Sequence, residues 1–201
     1  MRIGLRTGEQ RQLRITDCGW GPAPVCPETD VCVTRTETGL TVHFRVFEAT
    51  PRITFHAMNE PVYRDSCVEF FVQPLGLEGS PYFNFEMNAA GTLLLGCGAA
   101  RGERESLGRD DLEGVRIEPH GSSVTEGRPC WALTLFVPFA WLSDKMPGFH
   151  AVTGTVLRAN FYKCGDDTQV PHYGSWNPMS APRPDFHRPE DFGEIELLAD
   201  A

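Results

Sequence analysis

The sequence predicts an all-β fold, an antiparallel sandwich or barrel with few short helices. Three observations predict it. Twenty glycines and 16 prolines punctuate the chain at short intervals. Between them lie brief runs rich in Val, Phe and Leu, as in proteins built from many short strands. Helical periodicity is scarce, and several of the runs alternate apolar and polar residues with the two-residue period of a strand.

Taken in order, strands are expected over residues 29–35, 40–48, 53–58, 66–73, 81–88, 92–96, 114–119, 130–138, 155–163 and 193–198. Two short helical turns are expected, at "RDDLEG" (109–114) and at "FAWLSD" (139–144), the second following Pro138. No internal repeat, low-complexity tract or linker divides the chain, so residues 1–201 are expected to form one domain. The Pro-rich segment 177–189 is expected to be a long ordered surface loop.

Parity assigns the faces. "SCVEFFV" turns Val68, Phe70 and Val72 inward and leaves Glu69 and Phe71 on the other side. "LTVHFRVF" turns Val42, Phe44 and Val46 inward, and "WALTLFV" turns Trp131, Leu133, Leu135 and Val137 inward. "VLRANFY" buries Leu157, Ala159 and Phe161 and leaves Arg158, Asn160 and Tyr162 opposite. The strictest alternation is "PYFNFEMNAAG", residues 81–91. Phe83, Phe85 and Met87 share one face; Tyr82, Asn84, Glu86 and Asn88 share the other. Such second faces, made of carboxylates, amides, a guanidinium and tyrosines, differ from the Lys, Thr and Ser of an ordinary solvent face. Either they form one surface, or they are unrelated solvent positions on different sheets.

Composition narrows the partners. Hydrophobic residues make up 41% and charged residues 22%, ordinary for a globular chain. A net charge of −9 argues against nucleic acid, whose binding is driven by Lys and Arg. No apolar run is long enough for a membrane span. The opening "MRIGLRTGEQRQLRI" has no apolar signal region. The expected location is therefore the cytoplasm if the chain is complete, and extracellular or periplasmic if a signal has been removed. The seven cysteines, 18, 26, 32, 67, 97, 130 and 164, form no Cys-x-x-Cys pair. They are expected to be buried free thiols in a reducing compartment, with Cys18–Cys26 or Cys26–Cys32 as bridges in an exported protein.

A face of paired donors and acceptors suits a neutral polyhydroxylated ligand, because each sugar hydroxyl both donates and accepts. The C–H faces of a pyranose need an aromatic plate. Candidates are Tyr63 in "PVYRDS" and Tyr173 and Trp176 in "HYGSWNP". The Gly, Ser, Asn and Pro around Trp176 mark a loop, where a tryptophan is either a core plug or part of a binding site.

Three segments in order, "PVYRDSCVEFFVQP", "YFNFEMNAAGTLL" and "LRANFYKCGDDTQVPHYGSWNPMSAPRPDFHRPEDFGEIEL", resemble the carbohydrate-binding module family 9-like proteins. The resemblance covers most of the chain from about residue 60 onward. It implies a jelly-roll β-sandwich, immunoglobulin-like or DOMON-like, that holds a sugar between two aromatic side chains. It also implies loops supported by calcium and a polysaccharide, oligosaccharide or monosaccharide as partner, with a carbohydrate-active enzyme served in addition. Tyr63 then stands at the position of the first aromatic wall and Trp176 at the second. Glu69 matches a carboxylate that bonds sugar hydroxyls, while Asn84, Glu86 and Arg158 are placed by strand. Tyrosine at position 63 is a smaller plate than the tryptophan common there.

Three other chemistries are open to these residues. Asp65, Glu69 and Glu86 could supply the two carboxyls of a glycoside hydrolase, although open strands offer no apolar pocket to raise a carboxyl pKa. Met87, His56, His172 and His187 offer haem ligands of the kind some DOMON-like relatives use, but the Cys-x-x-Cys-His attachment motif is absent. In "CGDDTQ", Asp166 and Asp167 offer hard oxygen ligands to calcium, and the same residues suit a solvated turn. "GCGAARG", residues 96–102, lacks the spacing of a phosphate loop and is expected to be a turn. No organic cofactor is expected.

Overall fold

The computed structural model describes residues 1–20 and 26–200. Two sheets pack face to face as a β-sandwich. The larger contains β1 (Arg2–Leu5), β6 (Cys67–Gln73), β7 (Tyr82–Asn88), β8 (Leu93–Gly98), β9 (Glu105–Ser106), β12 (Val156–Gly165) and β14 (Gly193–Leu197). Its order is β1-β14-β12-β6-β7-β8-β9. A branch, β13 (His172–Ser175) and β3 (Asp17–Trp20), pairs along the far end of β12. The five-stranded sheet comprises β2 (Gln10–Ile15), β4 (Thr29–Arg35), β5 (Gly39–Val46), β10 (Arg116–Thr125) and β11 (Arg128–Pro138), ordered β10-β11-β5-β4-β2. Pairing is antiparallel except where β1 lies parallel to β14.

The inward faces are those set by parity. Val68, Phe70 and Val72 of β6, Phe83, Phe85 and Met87 of β7 and Leu157, Ala159 and Phe161 of β12 meet Val42, Phe44 and Val46 of β5 and Leu133, Leu135 and Val137 of β11. Phe161 bridges the layers, stacking on Phe70 at 5.2 Å and meeting the edge of Phe44 at 6.3 Å. The helical turn expected after Pro138 is α1 (Phe139–Lys145), which closes one end by packing Trp141 against Phe83 at 4.8 Å. The turn at "RDDLEG" is a short 3-10 segment, Arg109–Asp111. No helix among the described residues is long and apolar enough to cross a membrane.

Two expectations are corrected. Residues 53–58 form no strand, because carboxylates take the place of a neighbouring chain. Asp65 accepts the backbone N–H groups of Thr54 and Phe55, and Glu60 accepts those of His56 and Ala57. The cysteines are not all free, since Cys18 is bridged to Cys26. Five remain as thiols, with Cys67, Cys130 and Cys164 buried. Strands β1, β2, β3, β9 and β13 lie outside the expected set; they are short, or polar like "QRQLRI".

Candidate functional site

The outer face of the nine-stranded sheet is a single surface, and the chain itself covers it. Register places side chains there in rows across the strands. One row is Tyr162, Glu69, Glu86 and Leu94; the next is Cys164, Cys67 and Asn88; on the other side lie Asn160, Phe71 and Asn84. Every residue of β6 and β7 is buried on both faces. The segment after β13 crosses over this surface, as the Pro-rich composition of 177–189 requires of a loop that cannot join a ladder. Trp20 pins it by donating from Nε1 to the Ala181 carbonyl at 2.9 Å. Phe186 stacks on Tyr162 at 4.1 Å, and His187 Nδ1 meets the Tyr82 hydroxyl at 2.9 Å.

A second apolar cluster results, made of Val62, Phe71, Tyr82, Tyr162, Phe186 and Phe192. Several polar groups trapped beneath it are bonded to one another or to backbone, while Asn84 Oδ1 and Gln73 Oε1 have no partner. Asn160 donates to the Asn177 carbonyl at 3.0 Å. Asn88 donates to the Phe55 carbonyl and to Asp65.

Over the Glu69–Glu86 row the cover opens into a cleft of about 240 Å³. Its floor is Glu69, Glu86, Leu94 and Cys164. One wall is Tyr63, held in place because the Tyr63 carbonyl accepts the Asp166 N–H at 3.2 Å. Tyr173 and Asp166 line it next to one another. The opposite rim carries Arg101 and Arg104 from the β8–β9 connection, with Asp185, Phe186 and His187 from the crossing segment. Arg101 reaches Asp185 at 3.3 Å and closes that rim.

Burial sets the electrostatics. Glu86 is only 3% exposed, and burial pushes its carboxyl up to about 7, against the pull of Arg104 and of the Asn84 amide. Arg104 Nη1 lies 3.9 Å from Glu86, and Asn84 Nδ2 donates to it at 2.9 Å. Burial also drives Glu69 well above the carboxylate range, reinforced by Cys164 and Glu86. Its recorded donor is the Cys164 thiol, at 3.0 Å. On the rim, burial and then the two arginines hold His187 down to about 3, so its ring is neutral. Burial, followed by Asp166, lifts Tyr173 to about 12. The cleft thus presents carboxyls, phenols and guanidiniums, a set that can both donate to and accept from hydroxyl groups.

The structure brings together Tyr63, Glu69, Glu86 and Asp166 from the expected residues, and Trp176, Arg158, Asn84 and Asp167 do not line the cleft. Trp176 is no wall: it is 4% exposed and its ring meets Phe161 at 5.5 Å inside the core. A Cβ on Gly193 would come within 2.5 Å of that ring, so only glycine fits there. Arg158 sits at the far end of the sheet face and donates to the Glu190 carbonyl. Asn84 is fully buried and acts through Glu86. The shallow, open sheet face expected for Glu69 and Glu86 is likewise replaced by a covered cleft, because the crossing segment supplies the missing roof.

Of the two aspartates expected to ligate calcium, Asp166 lines the cleft and Asp167 is engaged by Arg64 at 2.7 Å. The haem ligands do not converge. Met87 points into the inter-sheet core, on the opposite side of β7 from the Tyr82 hydroxyl that His187 bonds. His172 is bonded to Lys163 at 2.8 Å. Sequence reasoning missed Arg101 and Arg104 and weighed His187 only as a haem ligand; of the two arginines, the turn "GCGAARG" contains Arg101 alone.

The model of carbohydrate-binding family 9 matches residues 5–197. The chain belongs to that family. A crystal structure of a proposed carbohydrate-binding protein from Bacteroides uniformis is similar to it over 98% of both chains, with 29% identity and a TM-score of 0.82. A family 9 carbohydrate-binding module from Caldicellulosiruptor kristjanssonii has been solved with cellotriose and with glucose. The cellotriose complex is 12% identical, with a TM-score of 0.62 over 100% of this chain and 95% of that one. The glucose complex is 13% identical, with a TM-score of 0.60 over 100% and 97%. At that identity the likeness concerns the fold of this family 9 chain. No curated protein matches it.

Proposed function

We propose that this chain is a non-catalytic carbohydrate-binding module whose sugar lies in the cleft over Glu69 and Glu86. Tyr63 and Tyr173 serve as its aromatic plates, and Glu69, Glu86, Asp166, Arg101 and Arg104 bond its hydroxyls. One observation carries the reading: two accessible phenol rings and two adjacent buried carboxyls share a cleft of about 240 Å³. Membership of family 9 supports it, as do the cellotriose and glucose held by the Caldicellulosiruptor modules. Tyr173 takes the role that sequence gave to Trp176, since Tyr173 pairs with Cys164 on the outer face.

Stacking on an aromatic ring is worth about 1 kcal/mol beyond area burial, and a hydrogen bond to a charged group about 1.5 to 3 kcal/mol. With about 1.4 kcal/mol per tenfold in affinity, Tyr63→Ala and Tyr173→Ala should each weaken sugar binding several-fold. Glu86→Ala should weaken it by about tenfold or more. Arg158→Ala should leave affinity within about twofold, since it is remote from the cleft. Calorimetric titration with glucose and cellotriose, after a glycan array to find tighter ligands, checks the series. Unchanged affinity in both tyrosine variants would place the site elsewhere.

The raised carboxyls also fit glycoside hydrolysis better than open strands did, because one of the two carboxyls must carry a proton. The same sugars, incubated with the protein, should stay intact. Cleavage that disappears in Glu69→Gln or Glu86→Gln would replace the binding-only reading.

A further inference from the structure

Two thiols that sugar recognition does not use lie beside Glu69 at the floor of the cleft. Cys67 on β6 stands directly opposite Cys164 on β12, both on the outer face. Glu69 follows Cys67 by two residues and so shares that face. One ligand atom from each, two sulfurs and a carboxylate oxygen, lie within 4.8 Å of one another, and all three residues are buried. Among the described residues no Lys or Arg nitrogen reaches ion-pair distance of Glu69, whereas Arg104 stands 3.9 Å from Glu86. A buried carboxyl without a cationic neighbour is an unfavourable arrangement unless it takes up a proton or a metal ion.

We propose that Cys67, Cys164 and Glu69 form a binding site for a thiophilic divalent cation of the Zn²⁺ class. Thiolates select such ions over calcium or magnesium, and cysteine sulfur and carboxylate oxygen are both ligands that Zn²⁺ takes. Metal–sulfur bonds of about 2.3 Å and metal–oxygen bonds of about 2.0–2.2 Å place tetrahedral donors about 3.5 to 3.8 Å apart, so the Cys164 sulfur and the Glu69 oxygen, now 3.0 Å apart, would separate slightly. Antiparallel pairing of β6 and β12 fixes the positions of all three side chains, so that adjustment needs only side-chain rotation. Glu69 and Cys164 line the cleft, which supplies both the entry path and an open fourth position.

In the empty site burial keeps the thiols protonated. On binding, the two thiols and the Glu69 carboxyl release their protons to solvent as the metal–sulfur and metal–oxygen bonds form, and the ion's charge stabilises the thiolates and the carboxylate. The complex of one divalent ion, two thiolates and one carboxylate carries a net −1.

The site stands on the geometry of the thiols and shares only Glu69 with the sugar reading. Its test uses Co²⁺ as a spectroscopic probe of the reduced protein. One equivalent should produce a sulfur-to-cobalt charge-transfer band that Zn²⁺ bleaches. Cys67→Ser and Cys164→Ser should each abolish the band, and Glu69→Gln should weaken Co²⁺ binding at least about tenfold. Cys97→Ser and Cys130→Ser should leave it unchanged. If a serine variant does not fold, alkylation of the unaltered protein decides: Zn²⁺ should protect Cys164 and leave Cys97 reactive. No band in the reduced protein, a band surviving both serine variants, or Cys164 alkylation indifferent to Zn²⁺ would overturn the proposal.

Discussion

The outer faces of the two sheets come from strands with similar alternation, yet they meet different fates. On the five-stranded sheet, β4 and β5 alternate between fully buried and half-buried positions. Their outward residues include Thr34, Thr41, His43 and Arg45, and Thr134 joins them from β11. These bond locally, as when His43 and His120 both reach the Thr134 hydroxyl. On the nine-stranded sheet, β6 and β7 are buried at every position, although Glu69, Gln73, Tyr82, Asn84, Glu86 and Asn88 are polar or have polar tips. Water solvates the first set. The second must be satisfied by protein or ligand, and that need selects planar groups such as Asn, Glu and Tyr that bond directionally. The unusual face of "PYFNFEMNAAG" is therefore the underside of a covered site.

That contrast breaks most readily at Asp65. This buried carboxylate collects two backbone N–H groups and the Asn88 amide. Asp65→Ala strands all three donors and should cost about 3 kcal/mol or more, measured by urea unfolding. A cost below about 1 kcal/mol would mean that water reaches beneath the cover.

The next effect concerns pH. Glu86 has a folded pKa raised to about 7, above the unfolded value near 4.3. Its contribution to stability is therefore complete below about pH 4 and is lost as pH rises through about 7. Glu86→Gln should match the wild type near pH 4 and exceed it by about 2 to 3 kcal/mol near pH 8. A difference that does not vary with pH would show Glu86 to be solvated. The smallest effect belongs to the exposed surface. Arg128 and Glu28 pair at 2.7 Å with both side chains accessible, and removing the pair should change stability by less than about 1 kcal/mol.

Much of this was legible in the sequence. Period-two alternation assigns the inward faces of β5, β6, β7, β11 and β12, since a buried face excludes register slips. The same parity groups Glu69 with Glu86, which the structure makes cross-strand neighbours. Trp176 misled because the glycine and proline around it suggested an exposed loop. The corrective signal is spacing: Tyr173 and Trp176 are three apart, so a strand puts them on opposite faces. Pairing confirms this, with Tyr173 opposite Cys164 and the Trp176 N–H donating to the Phe161 carbonyl. Arg101, Arg104 and His187 were not legible. Their place depends on how a hairpin and a crossing segment fold over the sheet, which no local pattern encodes.

The most direct test of the covered site is a crystal structure of the protein soaked with the tightest-binding sugar from the array. A sugar ring between Tyr63 and Tyr173, hydrogen-bonded to Glu69 and Glu86, is the predicted result. Density on the outer face of the five-stranded sheet, with the cleft empty, would contradict it.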